Sequence, residues 1–296
     1  MRLSGFILIA IFIGSCKAQP RTINLRTNKD NNTLLWEISG NGLAEPSYLF
    51  GSFHLLCKSD IHFSEQLLAA VHQSAEVYLE LDLDDPSTLV GGLLLMNMNG
   101  GKKLSDLYSA DEYKKVDLFF KDSLNTSLVL FHGMKPAFLE SMLYPKLLPC
   151  KSISGVEEEL MQVARKEKKE INGLETIAFQ ASVFDSIPYA EQAKELLKTI
   201  DSLTAYKQFF DTLVSVYKSQ NLNDIEKMFS KSEFGMEENQ DLLLNNRNKN
   251  WVMQLKTIFQ KKSIFIAVGA GHLVGEKGLI ALLRKDGYTV RPLVNK

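Results

Sequence analysis

The sequence is short of net charge, of cysteine and of long apolar runs. Its 34 lysines and arginines stand against 35 aspartates and glutamates, a formal charge of −1. So even a balance gives no general attraction to nucleic acid or to an anionic membrane. The lysine run near 165–170 alternates with glutamates and reads as a solvated helix face. Beyond the N-terminus no apolar run is long enough to cross a bilayer; the segment TLVGGLLLMNMNGG at 88–101 is broken by glycines and asparagines and is expected to cover a core or a groove. Several catalytic signatures are missing as well. There is no HExxH pair, no Gly-x-Ser-x-Gly elbow and no Walker loop, and the glycines of GAGHLVG lack the Gly-x-Gly-x-x-Gly spacing of a dinucleotide site.

What remains is an ordinary globular composition, 45% hydrophobic and 23% charged over 296 residues, enough for one large domain or two small ones. The first residues stand apart. MRLSGFILIAIFIGSC has a basic start and a short apolar stretch, the pattern of an export signal over residues 1–18. Two processing routes fit it. Ile13-Gly14-Ser15-Cys16 resembles a bacterial lipobox in which Cys16 is lipidated, whereas ordinary cleavage would follow Ala18. Either route predicts an exported protein of the bacterial cell envelope, lipid-anchored or periplasmic, touching the membrane only through its N-terminal anchor. After Cys16 only Cys57 and Cys150 remain, an even pair in an oxidising compartment. Bridged, they would close a long loop; unpaired, they would be buried thiols.

A polar leader at 19–32 precedes a domain spanning 33–296. Within it, LLWEISGNGLAEPSYLFGSFH reads as two strands around a Gly/Asn/Pro turn. Ser64 is placed to cap a helix over 64–76, and VYLELDLDD then alternates as a strand, with Val77, Leu79, Leu81 and Leu83 on one face and Tyr78, Glu80, Asp82 and Asp84 on the other. From 104 to 250 the pattern is largely helical. SADE at 109–112 and SGVE at 154–157 both have capping-box spacing, which gives Glu157 to Glu159 a structural role, and NGLET at 172–176 is a short connection or strand. The C-terminal part returns to a buried strand (SIFIAVGAGH), a helix ended by Gly287 and a final strand (YTVRPL). The two ends thus share one order, strand, Gly-x-x-His-Leu, helix, strand. The expected fold is α/β: a single domain with a mixed β-sheet core, two pseudo-symmetric halves and a helical insertion between them.

Chemistry points to the same repeat. Of five histidines, His62, His72 and His132 sit in polar or amphipathic contexts and read as surface residues. His54 and His272 each fall just past the end of an apolar strand, three residues after a glycine, at the edge where open α/β sheets build their sites. With Glu80 on a nearby strand they would suit a catalytic divalent ion, the two imidazoles and the carboxylate as ligands, or Glu80 as general base. Ser52 lies inside the first motif, but Ala270 takes the matching place in the second, and Cys57 is better placed for a bridge than for nucleophilic attack.

SYLFGSFHLL, VYLELDLDDP, INGLETIAFQ, NNRNKNWVMQL and IFIAVGAGHLVGEKGLIALLRKDGYTVRPL together resemble the TraB/PrgY/GumN family, which includes the TIKI-type metalloproteases. The likeness runs from about Trp36 to Leu293. It implies a metal-dependent hydrolase acting on peptides or proteins, with manganese, cobalt or zinc held by His54, Glu80 and His272. Arg247 would hold a substrate or core carboxylate. The alternative is a non-catalytic envelope module that binds or assembles a peptide or polysaccharide system. Haem capture by the paired histidines ranks below both, since fold analogy alone suggests it.

Overall fold

The computed structural model describes residues 25–26, 32–230 and 239–296. The 13–16 motif with Cys16, the cleavage point after Ala18 and most of the 19–32 leader lie outside the described residues. The chain forms strands β1 (Leu35–Ser39), β2 (Ser47–Ser52), β3 (Leu56–Cys57), β4 (Glu76–Leu81), β5 (Ile153–Ser154), β6 (Glu170–Glu175), β7 (Ile264–Gly269) and β8 (Thr289–Pro292). Six of them make one sheet in the order β6-β4-β7-β2-β1-β8, while β3 and β5 form a separate ribbon. The four strands from β6 to β2 run parallel, and β1 is antiparallel to both its neighbours.

The most apolar strands lie at the centre because only there are both faces covered. Alternation divides their side chains. Tyr48, Phe50, Phe265, Ala267, Val77 and Leu79 enter one core, closed by helices Glu65–Gln73 and Val156–Lys166. Leu49, Ile264, Ile266 and Val268 enter a second on the opposite face, closed by Trp251, Leu255 and Phe259 of helix Asn246–Phe259 and by Leu279 and Leu283 of helix Leu279–Lys285. As expected, Ser64 caps the first of these helices, accepting the Leu67 N–H.

The register of β2 on β7 positions the site. Tyr48 pairs with Phe265 and Ser52 with Gly269, so both strands end at the same edge and release their Gly-x-x-His segments side by side. The two-fold relation expected between the halves does not extend to the closing strands. β4 inserts next to β7, whereas β8 lies at the far edge of the sheet beyond β1. The 104–250 region is largely helical, and NGLET at 172–176, read as a short connection or strand, falls in a strand. The region contributes β5 and the edge strand β6, because EINGLE finds an open neighbour in β4, pairing Glu76 with Glu170 through Leu81 with Glu175. Its helices bury a core of their own around Leu104, Val116, Phe120, Leu139 and Leu196. No helix among the described residues is long and apolar enough to cross a membrane.

Cys57 and Cys150 are bridged, with Cα atoms 5.8 Å apart and 93 positions between them in sequence. The bond sits beside the β3–β5 ribbon, which pairs Leu56 with Ser154 and Cys57 with Ile153. A closed loop of this length restricts the unfolded chain by about 4–5 kcal/mol in the chain-entropy description. The Cys57→Ser/Cys150→Ser variant is therefore expected to lose roughly 2–5 kcal/mol of unfolding free energy in urea; an unchanged midpoint would show that the bridge contributes nothing to stability.

Candidate functional site

The β3–β5 ribbon brings together residues on either side of it. His54 precedes β3 and Glu157 follows β5; the Val156 N–H donates to the Phe53 carbonyl at 3.0 Å. Gly155 permits this approach, since a Cβ there would come within 2.7 Å of the His54 carbonyl oxygen. The His54 Nδ1–H then meets Glu157 Oε1 at 2.8 Å, and the Ser52 hydroxyl donates to the same oxygen at 2.5 Å. Glu157 is thus a partner of His54, which corrects the capping-box expectation at 154–157. The helix starts at Val156 with Gly155 at its N-cap, and Ser154 Oγ bonds Glu158 and Glu159 instead. At 109–112 the capping box does form.

A second group closes the other side. The Glu80 carboxylate, at the end of β4, accepts the Gly269 N–H at 2.8 Å through Oε1 and an Arg247 Nη2–H through Oε2. Arg247 spends its other donors on Glu175 (Nε to both oxygens at 3.1 Å, Nη2 at 2.7 Å), on the Leu243 carbonyl at 2.7 Å and on His272 Nε2 at 3.2 Å. The Trp251 indole donates to Glu175 at 3.1 Å, packs at a tilt against the His272 ring with centroids 4.5 Å apart and lies under the guanidinium at 4.8 Å. Asn248 fixes the His272 tautomer. Its amide nitrogen donates to the His272 and Lys277 carbonyls, so its oxygen, 2.6 Å from His272 Nδ1, must accept. Nδ1 therefore carries the proton and Nε2 presents a lone pair toward Arg247 and Glu80 Oε1, the latter 3.7 Å away.

Burial sets the charge states. Removal from water drives the His272 pKa down to about 3, overriding the pull of Glu80, so the ring is neutral at pH 7. Burial alone would raise Glu80; its cationic surroundings and the Gly269 N–H instead hold it at about 2. With His272 neutral at pH 7, Arg247 and, after it, protonated His54 are the cations that keep Glu80 ionised. Glu175 is pushed upward, by burial first and by ionised Glu80, against its hydrogen bonds from Arg247 and Trp251. Glu157 is lowered: burial opposes ionisation, but the charge and hydrogen bond of His54 and the Ser52 hydroxyl prevail. In return Glu157 raises His54 from its usual 6.5 toward about 9. The His54 ring lies against Glu157 on the cleft side while 72% of its side-chain surface meets solvent, and water screens part of that attraction.

His54, Glu80, His272 and Arg247 are thus gathered from four separate segments. Asp82 is not part of the group: its carboxylate caps the turn after β4, accepting the Asp84 and Asp85 N–H groups, and Asp84 pairs with Arg165. His62 is exposed, His72 pairs with Glu167 at 3.2 Å, and His132 faces the Val129 carbonyl. Glu175, Asn248 and Trp251 were missing from the residues singled out by sequence, and Glu157 had been given only a capping role. For Glu157 a signal exists: with Val156, Leu160, Met161 and Ala164 it shares the buried face of its helix.

Gly269 lies between the donors. A Cβ on it would stand 3.3 Å from Glu80 Oε1, 3.7 Å from His272 Cδ2 and 3.9 Å from His54 Nε2. Lacking one, it leaves a small cradle faced by two imidazoles and an ionised carboxylate, a donor set suited to zinc or another divalent ion. As folded, however, no three His, Cys, Asp or Glu side chains among the described residues are grouped to hold a metal. Arg247 occupies the His272 lone pair and supplies the positive charge. The donor chemistry fits a metal, provided that the hydrogen bond from Arg247 to His272 is released and His54 gives up its Nε2 proton.

Residues 34–292 match the profile of the TraB/PrgY/gumN family. The chain belongs to that family. Among curated members it is similar to "Metalloprotease TIKI1" of Danio rerio, 22% identical over 90% of this chain and 64% of the relative. "Metalloprotease TIKI2" of Xenopus tropicalis is 24% identical over 90% of this chain and 60% of the relative, and human "Metalloprotease TIKI1" is 22% identical over 93% and 64%. The chain spans a little over three-fifths of the length of these relatives. No solved structure matches it. In this TraB/PrgY/gumN member both Gly-x-x-His segments and the ELDLDD strand lie within the matched range.

The His54–Glu157 pair predicts a pH dependence. A histidine raised by folding contributes stability that is complete below pH 6.5 and is lost as pH rises toward about 9. The urea midpoint should therefore fall across that window in the wild type and fall less in Glu157→Gln. Parallel profiles for the two proteins would mean that the pair is not linked to folding.

Proposed function

We propose that this protein is an exported, lipid-anchored, metal-dependent hydrolase that cleaves peptide bonds. The observation that carries the reading is that His54, His272 and Glu80, from three separate segments, each come within 4 Å of where a Cβ on Gly269 would stand. The metalloprotease names of the relatives support it, and the Cys57–Cys150 bridge suits an oxidising compartment. His54 and His272 would hold the ion through Nε2, with Glu80 beside them. A divalent ion there supplies Lewis-acid polarisation of a carbonyl. The chain does the rest. Glu157 and Asn248 hold the Nδ1 protons, and with them the ring orientations, of His54 and His272 respectively. Arg247 balances Glu80 and Glu175, and Trp251 walls the buried side from water.

One observation favours the non-catalytic alternative, an envelope module that binds a peptide or polysaccharide component. Arg247 already satisfies Glu80 and the His272 lone pair, so the site is electrostatically complete without an ion.

Elemental mass spectrometry of the mature chain, purified without chelators and then titrated with manganese, cobalt and zinc, separates the two. About one ion per chain is expected, lost in His54→Ala/His272→Ala. Full occupancy in that variant, or no binding by the wild type after titration, rejects the metal reading. Gly269→Ala, which fills the cradle, should lower metal affinity at least about tenfold with the thermal midpoint little changed. Glu80→Gln tells its roles apart: metal is lost if Glu80 is a ligand, and retained with activity lost if it is the base.

A further inference from the structure

The two imidazoles of the site are held by different means. His272 is packed in place: it is 3% exposed, Asn248 accepts its Nδ1 proton and Trp251 packs against its ring. Its turn is pinned as well. A Cβ on Gly271 would stand 2.7 Å from the Phe229 ring, and the neighbours Ala270 and Leu273 are buried in the two cores of the main sheet. Neither core contains a cysteine.

His54 has little of this support. β2 stops at Ser52, and most of the His54 side chain meets solvent, with Glu157 as its one hydrogen-bond partner among the described residues. The position of the ring therefore depends on the backbone that carries it. That backbone leads into β3, two residues long, which pairs only with β5, also two residues long. Two strands outside any larger sheet are marginal by themselves.

The side chains flanking His54 show what steadies the ribbon. Phe53 and Leu55 pack against a small cluster of Cys57, Leu147, Leu148, Tyr206 and Phe210, with the Phe53 ring edge-on to Phe210 at 6.1 Å. This cluster joins the His54 segment to the helical region, and the Cys57–Cys150 bridge is its covalent tie. The bridge is also close in sequence to both members of the pair. Cys57 stands three residues after His54, and Cys150 seven residues before Glu157. A bond between these positions limits how far β3 can drift from β5, and with them His54 from Glu157.

We propose that Cys57 and Cys150 are positioning residues of the site: their bridge fixes the two-residue ribbon and through it holds the His54 imidazole against Glu157, with Nε2 beside Gly269. His272 does not depend on this bond. The consequence for metal binding rests on the reading of the site as a metal centre. Without the bridge an ion would have to order one of its two imidazole ligands, and loss of such support weakens metal binding about tenfold or more.

The test is carbon-13 relaxation of the imidazole Cε1–H groups in the metal-free mature chain, labelled in histidine and assigned with His54→Gln and His272→Gln. Wild type is compared with Cys57→Ser/Cys150→Ser, well below the thermal midpoint of each. Serines avoid free thiols, which would bind metal themselves. In the wild type both rings should be rigid, with order parameters of about 0.85; in the variant His54 should fall below about 0.6 while His272 stays at about 0.85. Leu196→Ala opens a cavity in the separate core of the helical region and controls for lost stability. It should leave both rings rigid. A His54 ring already mobile in the wild type, two rigid rings in the cysteine variant, equal loosening of both, or a mobile His54 in Leu196→Ala overturns the proposal. Equilibrium dialysis with cobalt reads the link to the metal site. The cysteine variant should bind cobalt at least about tenfold more weakly than the wild type, and equal affinity rejects that link. If the wild type binds no cobalt, the metal reading fails and ring relaxation alone decides the positioning role.

Discussion

One guanidinium, buried between two carboxylates, ties together the elements that form the site. Arg247 comes from helix Asn246–Phe259, Glu80 from β4 and Glu175 from β6, and the three side chains are each less than a tenth exposed. Ions removed from water to this extent cost several kcal/mol each unless every hydrogen-bonding position is filled. Here all five N–H groups of the guanidinium find acceptors: Glu175, Glu80, the Leu243 carbonyl and His272. The planar fork of arginine makes this possible, and a lysine could not reach both carboxylates and the imidazole at once. Among the described residues no buried side-chain nitrogen or oxygen lacks a partner.

The same contact decides the electrostatic state of the cleft. With Arg247 in place Glu80 is ionised and His272 neutral, which is the protonation a metal ligand pair requires. Yet the guanidinium also sits on the lone pair that an ion would need. On the solvent side the competitor is a proton: Glu157 holds His54 Nδ1 from behind and favours the charged ring, so an ion would have to displace the proton on Nε2.

Much of this was legible beforehand where the signal was local. The apolar runs at 47–52 and 264–269, each ending in Gly-x-x-His, located both histidines at strand ends, and the alternation of VYLELDLDD located Glu80. Glu157 shows the opposite case. Its spacing from Ser154 satisfies a capping rule worth about 1 kcal/mol, but charge-assisted hydrogen bonds to a buried carboxylate are worth roughly 1.5–3 kcal/mol, and the contact with His54 and Ser52 wins. Glu175 and Asn248 give no local sign at all. Their partners lie 72 and 24 positions away, and nothing in ETIAFQ or NKNWV announces an arginine or an imidazole.

By itself the sequence determined the strands around 47–52, 76–81 and 264–269, the helices around 65–73 and 279–285, which strand ends carry imidazoles, and that two cysteines remain to pair, because periodicity, turn residues and residue type are properties of short stretches. Only the tertiary structure decided that β4 lies beside β7 and β8 at the opposite edge, that 170–175 closes the sheet, and that Arg247 stands between Glu80 and Glu175. Those are choices of register and neighbour. Their energies come from side chains distant in the chain, packed and desolvated together, and they exist only once the whole sheet has formed.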